Sequence, residues 1–229
     1  MSATLLGLAI TVLAYALSRW INCRHPSSLT VPVLLSTPMV MVAITLAGSG
    51  LEGYRGASDA ITWWLGPATV SLGVPLYRHR QVLLDHGVRV AASVVGGTLV
   101  AMVTAVALAR LLGLEAPLQA ALGLKSATAP VAIALAHHVG ADAPVVAGIV
   151  VASALLGTIL GPALLTRLGV GSPMGRGLAL GTISSGQGVA QAFREGGEFT
   201  GAIASVAMAL AAVAVALLAL PLALFLGRS

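Results

Sequence analysis

Apolar runs follow one another along almost the whole chain. They lie at 3–17, 31–46, 61–77, 88–112, 143–165, 178–193 and 200–226, with a shorter eighth at 118–139. A hydrocarbon core of ~30 Å takes about 20 mostly apolar residues per helix. Within it every backbone N–H and C=O has to be satisfied inside the segment, which a helix does. These constraints predict an all-α fold, a polytopic transmembrane helix bundle of about seven to eight segments with broken or re-entrant helices near Lys125 and Gly186, forming a single integral membrane domain over 1–229. Of the 229 residues, 58% are hydrophobic and only 8% charged, against roughly 25% charged in a soluble domain. That is too little charge to cover a water-facing surface, so a soluble domain and a secreted protein are both excluded.

Nearly all the charge falls in the short connections, at 19–25, 52–59, 78–89, Arg110 with Glu115, 167–176 and 194–198. The net charge of +5 does not indicate a nucleic-acid partner, because the basic residues are scattered singly as topology signals and form no stripe. Placing 19–24, 78–89 and 167–176 in the cytoplasm satisfies the positive-inside rule if 118–139 dips into the membrane and returns. The N-terminus is then outside and Arg228 inside. The lone Cys23 makes neither an internal disulfide nor, by itself, a zinc site. No basic region precedes the first apolar run and no small-residue cleavage signal follows it, so that run is expected to be retained.

Two stretches resemble each other: Leu65-Gly66-Pro67-Ala68-Thr69-Val70-Ser71 continuing to Leu76, and Leu124-Lys125-Ser126-Ala127-Thr128-Ala129-Pro130 continuing to Leu135. Each is followed by a long helix rich in small residues, which makes a weak internal repeat of 65–114 and 122–170. Interrupted helices in corresponding halves point to a transporter's binding site.

Lys125 is the one basic residue inside an apolar segment. Holding its charge at mid-bilayer costs about 2.5–3.5 kcal/mol on insertion scales, so it should face protein or water. Two readings stand: a lysine snorkelling to the interface, or, with Ser126, Thr128 and the Thr69 and Ser71 of the related stretch, part of a pocket for a carboxylate. No acid inside a membrane segment neutralises it. A second candidate is 181–191, where Thr182, Ser184, Ser185, Gln187 and Gln191 interrupt an apolar helix. Ser184, Gln187, Gly188 and Gln191 share one helical face, which looks inward either to bind or to glue helices together. Gly157 and Gly161 read as a packing motif. His137 and His138 close the Lys125 segment and are candidates for proton coupling, or else an interfacial pair. No Ser/His/Asp set, carboxylate cluster or phosphate-cradling loop occurs, so neither an enzyme nor a metal or cofactor site is expected.

Taken together, Glu52-Gly53-Tyr54, Leu65-Gly66-Pro67-Ala68-Thr69 with Val74-Pro75-Leu76-Tyr77-Arg78, Lys125-Ser126-Ala127-Thr128-Ala129-Pro130 and Gly177-Leu178-Ala179-Leu180-Gly181-Thr182 resemble the LrgB/CidB family of membrane proteins. That family includes the plastidal glycolate/glycerate translocator, and the resemblance spans nearly the whole chain. It implies a multi-pass protein of a bacterial cell inner membrane, described as antiholin-like and often encoded beside a small holin-like partner. Relatives move small monocarboxylates such as pyruvate, glycolate or glycerate. The implied partners are therefore a small carboxylate, the lipid bilayer, a holin-like protein and further copies of the chain. The implied transport residues are Lys125, Ser126 and Thr128, the 67–75 stretch, and 182–188. The family usually carries Ser-His-Ala-Ile-Gly-Thr where this chain has Ser184-Ser185-Gly186-Gln187-Gly188-Val189, so Ser185 replaces the expected histidine. Three activities are compatible with this reading: a carboxylate transporter, a non-transporting regulator of murein hydrolase activity, and a passive pore.

Overall fold

In a computed structural model of the chain, residues 2–25, 30–48, 50–64, 67, 70–71, 73–78 and 80–225 are described. In order, the helices are α1 (Ser2–Arg24), α2 (Pro32–Leu46), α3 (Gly50–Trp63), α4 (Gly73–Arg78), α5 (Arg80–Leu111), α6 (Ala116–Gly123), α7 (Ala129–Ala136), a 3-10 turn His137–Val139, α8 (Ala143–Arg167) and a long helical stretch α9 (Pro173–Phe225). Among the described residues, four stretches are long and apolar enough to cross a membrane: Ala3–Arg24, Asp85–Leu111, Ala143–Arg167 and Pro173–Leu224. Among the described residues the regular structure of the apolar runs is helical throughout. It divides into two compact units, Met1–Gly73 and Val74–Ser229.

In the first unit α1 packs on α2 and α3. Ala14, Val40 and Ile44 form its core, with Tyr54 against them, and Thr11 Oγ1 meets the Tyr54 hydroxyl at 2.9 Å. The sequence suggested a charged loop at 52–59, but these residues are helical. Arg55 and Glu52 pair on the exposed face, while Ala57, fully buried, and Tyr54 turn toward Gly7 of α1. Residues spaced three or four apart share one face of a helix, so a few charges on the opposite face do not break it. Arg80 to Arg89, also expected in a loop, begins α5.

The second unit is built on α5. Its stripe Val90, Val94, Thr98, Met102 and Val106 is buried along the length of the helix, following the i, i+4 spacing of one helical face. α9 is not one rod. Ser185 (φ 48, ψ −138), Gly196 (φ −130, ψ 15) and Gly197 (φ 68, ψ −158) leave helical geometry, giving three limbs at 173–184, 186–195 and 198–225. Val94 clusters with Ala207 and Ala211, and Val106 and Leu222 both close on Gly123, so the third limb runs parallel to α5.

The first two limbs form a hairpin. Gly188 folds back on the Leu180 carbonyl, and Arg176 pairs with Glu195 at its base at 2.8 Å. At Gly197 the positive φ lets the chain reverse again, a conformation glycine adopts at no steric cost. The third limb then runs beside the first, with Gly177 against Thr200 and Ile203 and Gly181 against the Ala204 backbone. Each hairpin limb is roughly 15–18 Å long at 1.5 Å per residue, about half a bilayer core.

A second hairpin comes from the opposite side. α6 turns back on α5 through the Leu114 N–H to Ala109 carbonyl bond at 3.0 Å. α7 leads into α8 through a tight turn at Gly140 (φ 65). α8 runs antiparallel to the first limb of α9, its Gly157 meeting Ile183 and Ser184 and its Gly161 meeting Leu180. α7 is antiparallel to α8 in turn, so 116–136 dips inward and returns, as the re-entrant version of the sequence reading expected.

One part of that reading changes. The run 178–193 is not a crossing but most of a hairpin that returns to the side it came from. The third limb therefore ends on the side opposite 167–176, where the sequence reading had placed the C-terminal Arg228 beside those residues; Arg228 itself lies outside the described residues.

Candidate functional site

The tips of the two hairpins meet. Residues 124–128 connect α6 to α7 without helical structure, and the Ser185 hydroxyl donates to the Ala127 carbonyl at 3.2 Å. The helix ends carry complementary partial charges here, positive at the N-termini of α7 and the second limb and negative at the C-termini of α6 and the first limb. On residues close to this contact in sequence, Ser126 Oγ, Ser184 Oγ and Gln187 Oε1 are buried with no hydrogen-bond partner, and Ser184 Oγ lies against Gly157 of α8. Ser126 is 3% exposed and Ser184 is fully buried. Leaving such a group unsatisfied costs about 1–3 kcal/mol. Ser185 is the one described non-glycine residue with positive φ, and backbone held in such regions clusters at ligand clamps and switch regions.

Other residues singled out in the sequence sit apart from this contact. Thr182 is buried, and its hydroxyl donates to the Leu178 carbonyl of its own helix at 2.7 Å. Gln191 donates to Glu195 at the hairpin base, 2.8 Å. Thr128 is the N-cap residue of α7, yet its side chain makes no capping bond. Lys125 is half-buried and lines a groove of about 430 Å³ with Thr104 and Leu108 of α5, Leu112 just beyond its end and Leu122 of α6; Ser126, Ser184, Ser185 and Gln187 are not part of that wall. Among the described residues no carboxylate pairs with it. His137 and His138 are exposed, at the end of α7 away from the tip. Ser71 is exposed and belongs to the first unit; Thr69 lies outside the described residues. Among the described residues no group of three or more His, Cys, Asp or Glu side chains could hold a metal.

Three contributors escaped sequence reasoning. The Ala127 acceptor is a backbone carbonyl, and an alanine offers no signal for it. Thr98, fully buried with an unpartnered hydroxyl, was hidden in an apolar run, although its spacing from Val94 and Met102 puts it on the buried face of α5. Arg176 also joins the first limb to the end of α8, donating to Thr166 Oγ1 and to the Val170 and Pro162 carbonyls at 3.2–3.3 Å. Two charged residues nineteen apart in sequence gave no reason to pair them.

A multi-pass helical membrane protein with two opposed re-entrant hairpins in its second unit is the class this architecture defines. The chain belongs to the LrgB-like family, whose model matches residues 11–225. It is 32% identical over 204 residues to the uncharacterized protein YwbG of Bacillus subtilis (strain 168), covering 89% of this chain and 90% of that one. It is 25% identical over 203 residues to the antiholin-like protein LrgB of the same organism, covering 88% and 87%, and likewise 25% identical to the antiholin-like protein LrgB of Bacillus mycoides (strain KBAB4) over 204 residues, 88% of each. No solved structure matches it. With bacterial relatives over this span and its apolar helices, it is a multi-pass protein of the bacterial inner membrane.

Proposed function

We propose that this chain is an antiholin-like regulator that acts in the inner membrane with a holin-like partner to restrain murein hydrolase activity. The observation that carries this reading is the alignment, over 88% of the chain, with relatives named antiholin-like protein LrgB. Expressed with a holin-like protein in a strain lacking its own antiholin-like gene, the chain should slow autolysis and co-purify with that protein. Unchanged lysis with the chain folded in the membrane would refute the proposal.

A second reading, a transporter of small monocarboxylates of the pyruvate, glycolate or glycerate type working by alternating access, is favoured by the meeting of the hairpin tips at Ser185 and Ala127. Discontinuous helices place substrate and ion sites near the membrane's midplane, where half-helix N-termini attract anions. In this reading Lys125, Ser126, Thr128, Thr182, Ser184, Ser185, Gln187 and Gln191 supply the substrate-facing groups, and His137 and His138 carry the coupled proton. The two readings part at Lys125→Ala, which leaves autolysis control intact in a regulator and abolishes uptake in a carrier. Flat uptake of all four of pyruvate, glycolate, glycerate and lactate into proteoliposomes of folded protein would remove the transport reading.

A further inference from the structure

Lys125 is a cation within a re-entrant hairpin for which the chain holds no anion. The eight residues of α6 carry the backbone about 12 Å inward, at 1.5 Å per residue, before Lys125 follows them. A charge at that depth is costly unless it is paired or faces a cavity. All seven carboxylates of the chain belong to described residues. Glu52, Glu198 and Glu195 pair with Arg55, Arg78 and Arg176, and none of the seven pairs with Lys125. Nor is the ammonium needed to cap α6, because the Ala120, Ala121 and Leu122 carbonyls already accept the backbone N–H groups of Leu124 and Lys125.

What Lys125 faces is the groove of about 430 Å³ between α5 and α6. Its other walls are aliphatic, formed by Ala105, Leu108, Leu112, Leu114 and Leu122, and the large side chains Leu108 and Leu112 are exposed. The one hydroxyl in the wall, Thr104 Oγ1, donates to the Val100 carbonyl of its own helix at 2.7 Å. A ligand in this groove therefore meets one positive charge among leucine and alanine side chains. That combination matches an alkyl carboxylate, whose head supplies the missing counter-charge through charge-assisted hydrogen bonds and whose chain covers the leucines. A hydroxyl on the ligand would be buried without a partner, which disfavours hydroxy acids such as glycolate and glycerate.

We infer that the groove between α5 and α6 binds an aliphatic carboxylate of medium chain length, with its head on Lys125 Nζ and its chain along Leu108, Leu112 and Leu122. The groove has the volume of a small-ligand site. The inference shares Lys125 with the transport reading but not its ligand. Binding is measured on the purified chain, so uptake of the small hydroxy acids can fail while it holds.

The test is equilibrium dialysis of the purified full-length chain in detergent against radiolabelled octanoate, with chain-free detergent as the blank. Retention should saturate, and from butanoate to octanoate each added methylene should tighten it about three- to fourfold. Octanol and octylammonium, which carry the same alkyl chain without the negative charge, should compete about tenfold less well or worse, and so should glycolate. Lys125→Gln should weaken half-saturation by about tenfold or more. Leu108→Asn, at an exposed wall position, should weaken octanoate by about tenfold and leave butanoate nearly unchanged. Arg194→Gln, an equal loss of charge outside the groove wall, should titrate like the parent. The inference is overturned by a cooperatively melting parent that retains no octanoate saturably, by glycolate competing as well as octanoate, or by octanol or octylammonium doing so. It is also overturned by Lys125→Gln titrating unchanged, which would mean that the ammonium reaches water or lipid headgroups along the groove.

Discussion

Ser185 carries two opposing energies. Its positive φ costs a non-glycine residue of order 1–3 kcal/mol, while its bond to the Ala127 carbonyl returns about 0.5–1.5 kcal/mol. Ser185→Gly should therefore leave the thermal midpoint close to that of the parent, and Ser185→Val, with a branched Cβ in the same backbone, should lower stability by about 2 kcal/mol; equal melting of the two variants would show that the backbone is not strained there. Gly181 makes the complementary case. A Cβ added to it meets the Ala204 backbone, whereas one added to Gly186 meets nothing. Gly181→Ala should cost about 1–3 kcal/mol by overpacking, and Gly186→Ala should change stability by less than about 1 kcal/mol; thermal melts in detergent decide between them. The sequence reading placed a break near Gly186, and the residue that takes positive φ is its neighbour Ser185. No pattern reading foresees a serine taking that conformation beside an available glycine.

The hairpins were half legible as elements. The apolar run 118–139 is interrupted by Lys125 and Pro130, and the positive-inside count is met if it returns to the side it left, which together pointed to a re-entrant segment. The run 178–193 was counted as one crossing, and two half-length helices present the same hydropathy as one full-length helix. What distinguishes them is local: the Gly196-Gly197 pair and the charges Arg176 and Glu195, which come together only if the segment folds back. With side chains 18% exposed and further bonds from Arg176 to the end of α8, this pair should matter far more than Arg55–Glu52, whose side chains are 74% and 79% exposed. Arg176→Ala should lose about 2 kcal/mol, in the range for hydrogen bonds to charged groups, and Arg55→Ala less than about 0.5 kcal/mol. Comparable losses from both would mean that the base of the hairpin is not closed by this contact.

For the molecule as a whole, composition and the succession of apolar runs were enough to establish a helical membrane protein, and the combined motifs enough to establish its family. The topology of the second unit was not, because the positive-inside rule assigns sides to loops and each re-entrant hairpin returns the chain to the side it left. With both hairpins counted, Arg78, Arg80, Arg167, Arg176 and Arg194 gather on one side of the second unit and Arg110 stands on the other, and the positive-inside rule predicts that the first side is cytoplasmic. Cysteines placed one at a time at Ser172, Glu198 and Asp142, in a Cys23→Ser background, and probed with a membrane-impermeant thiol reagent from each face, test this arrangement directly. Two opposed hairpins predict that positions 172 and 198 both react from the cytoplasmic face and position 142 from the other; labelling of 172 and 198 from opposite faces would contradict it.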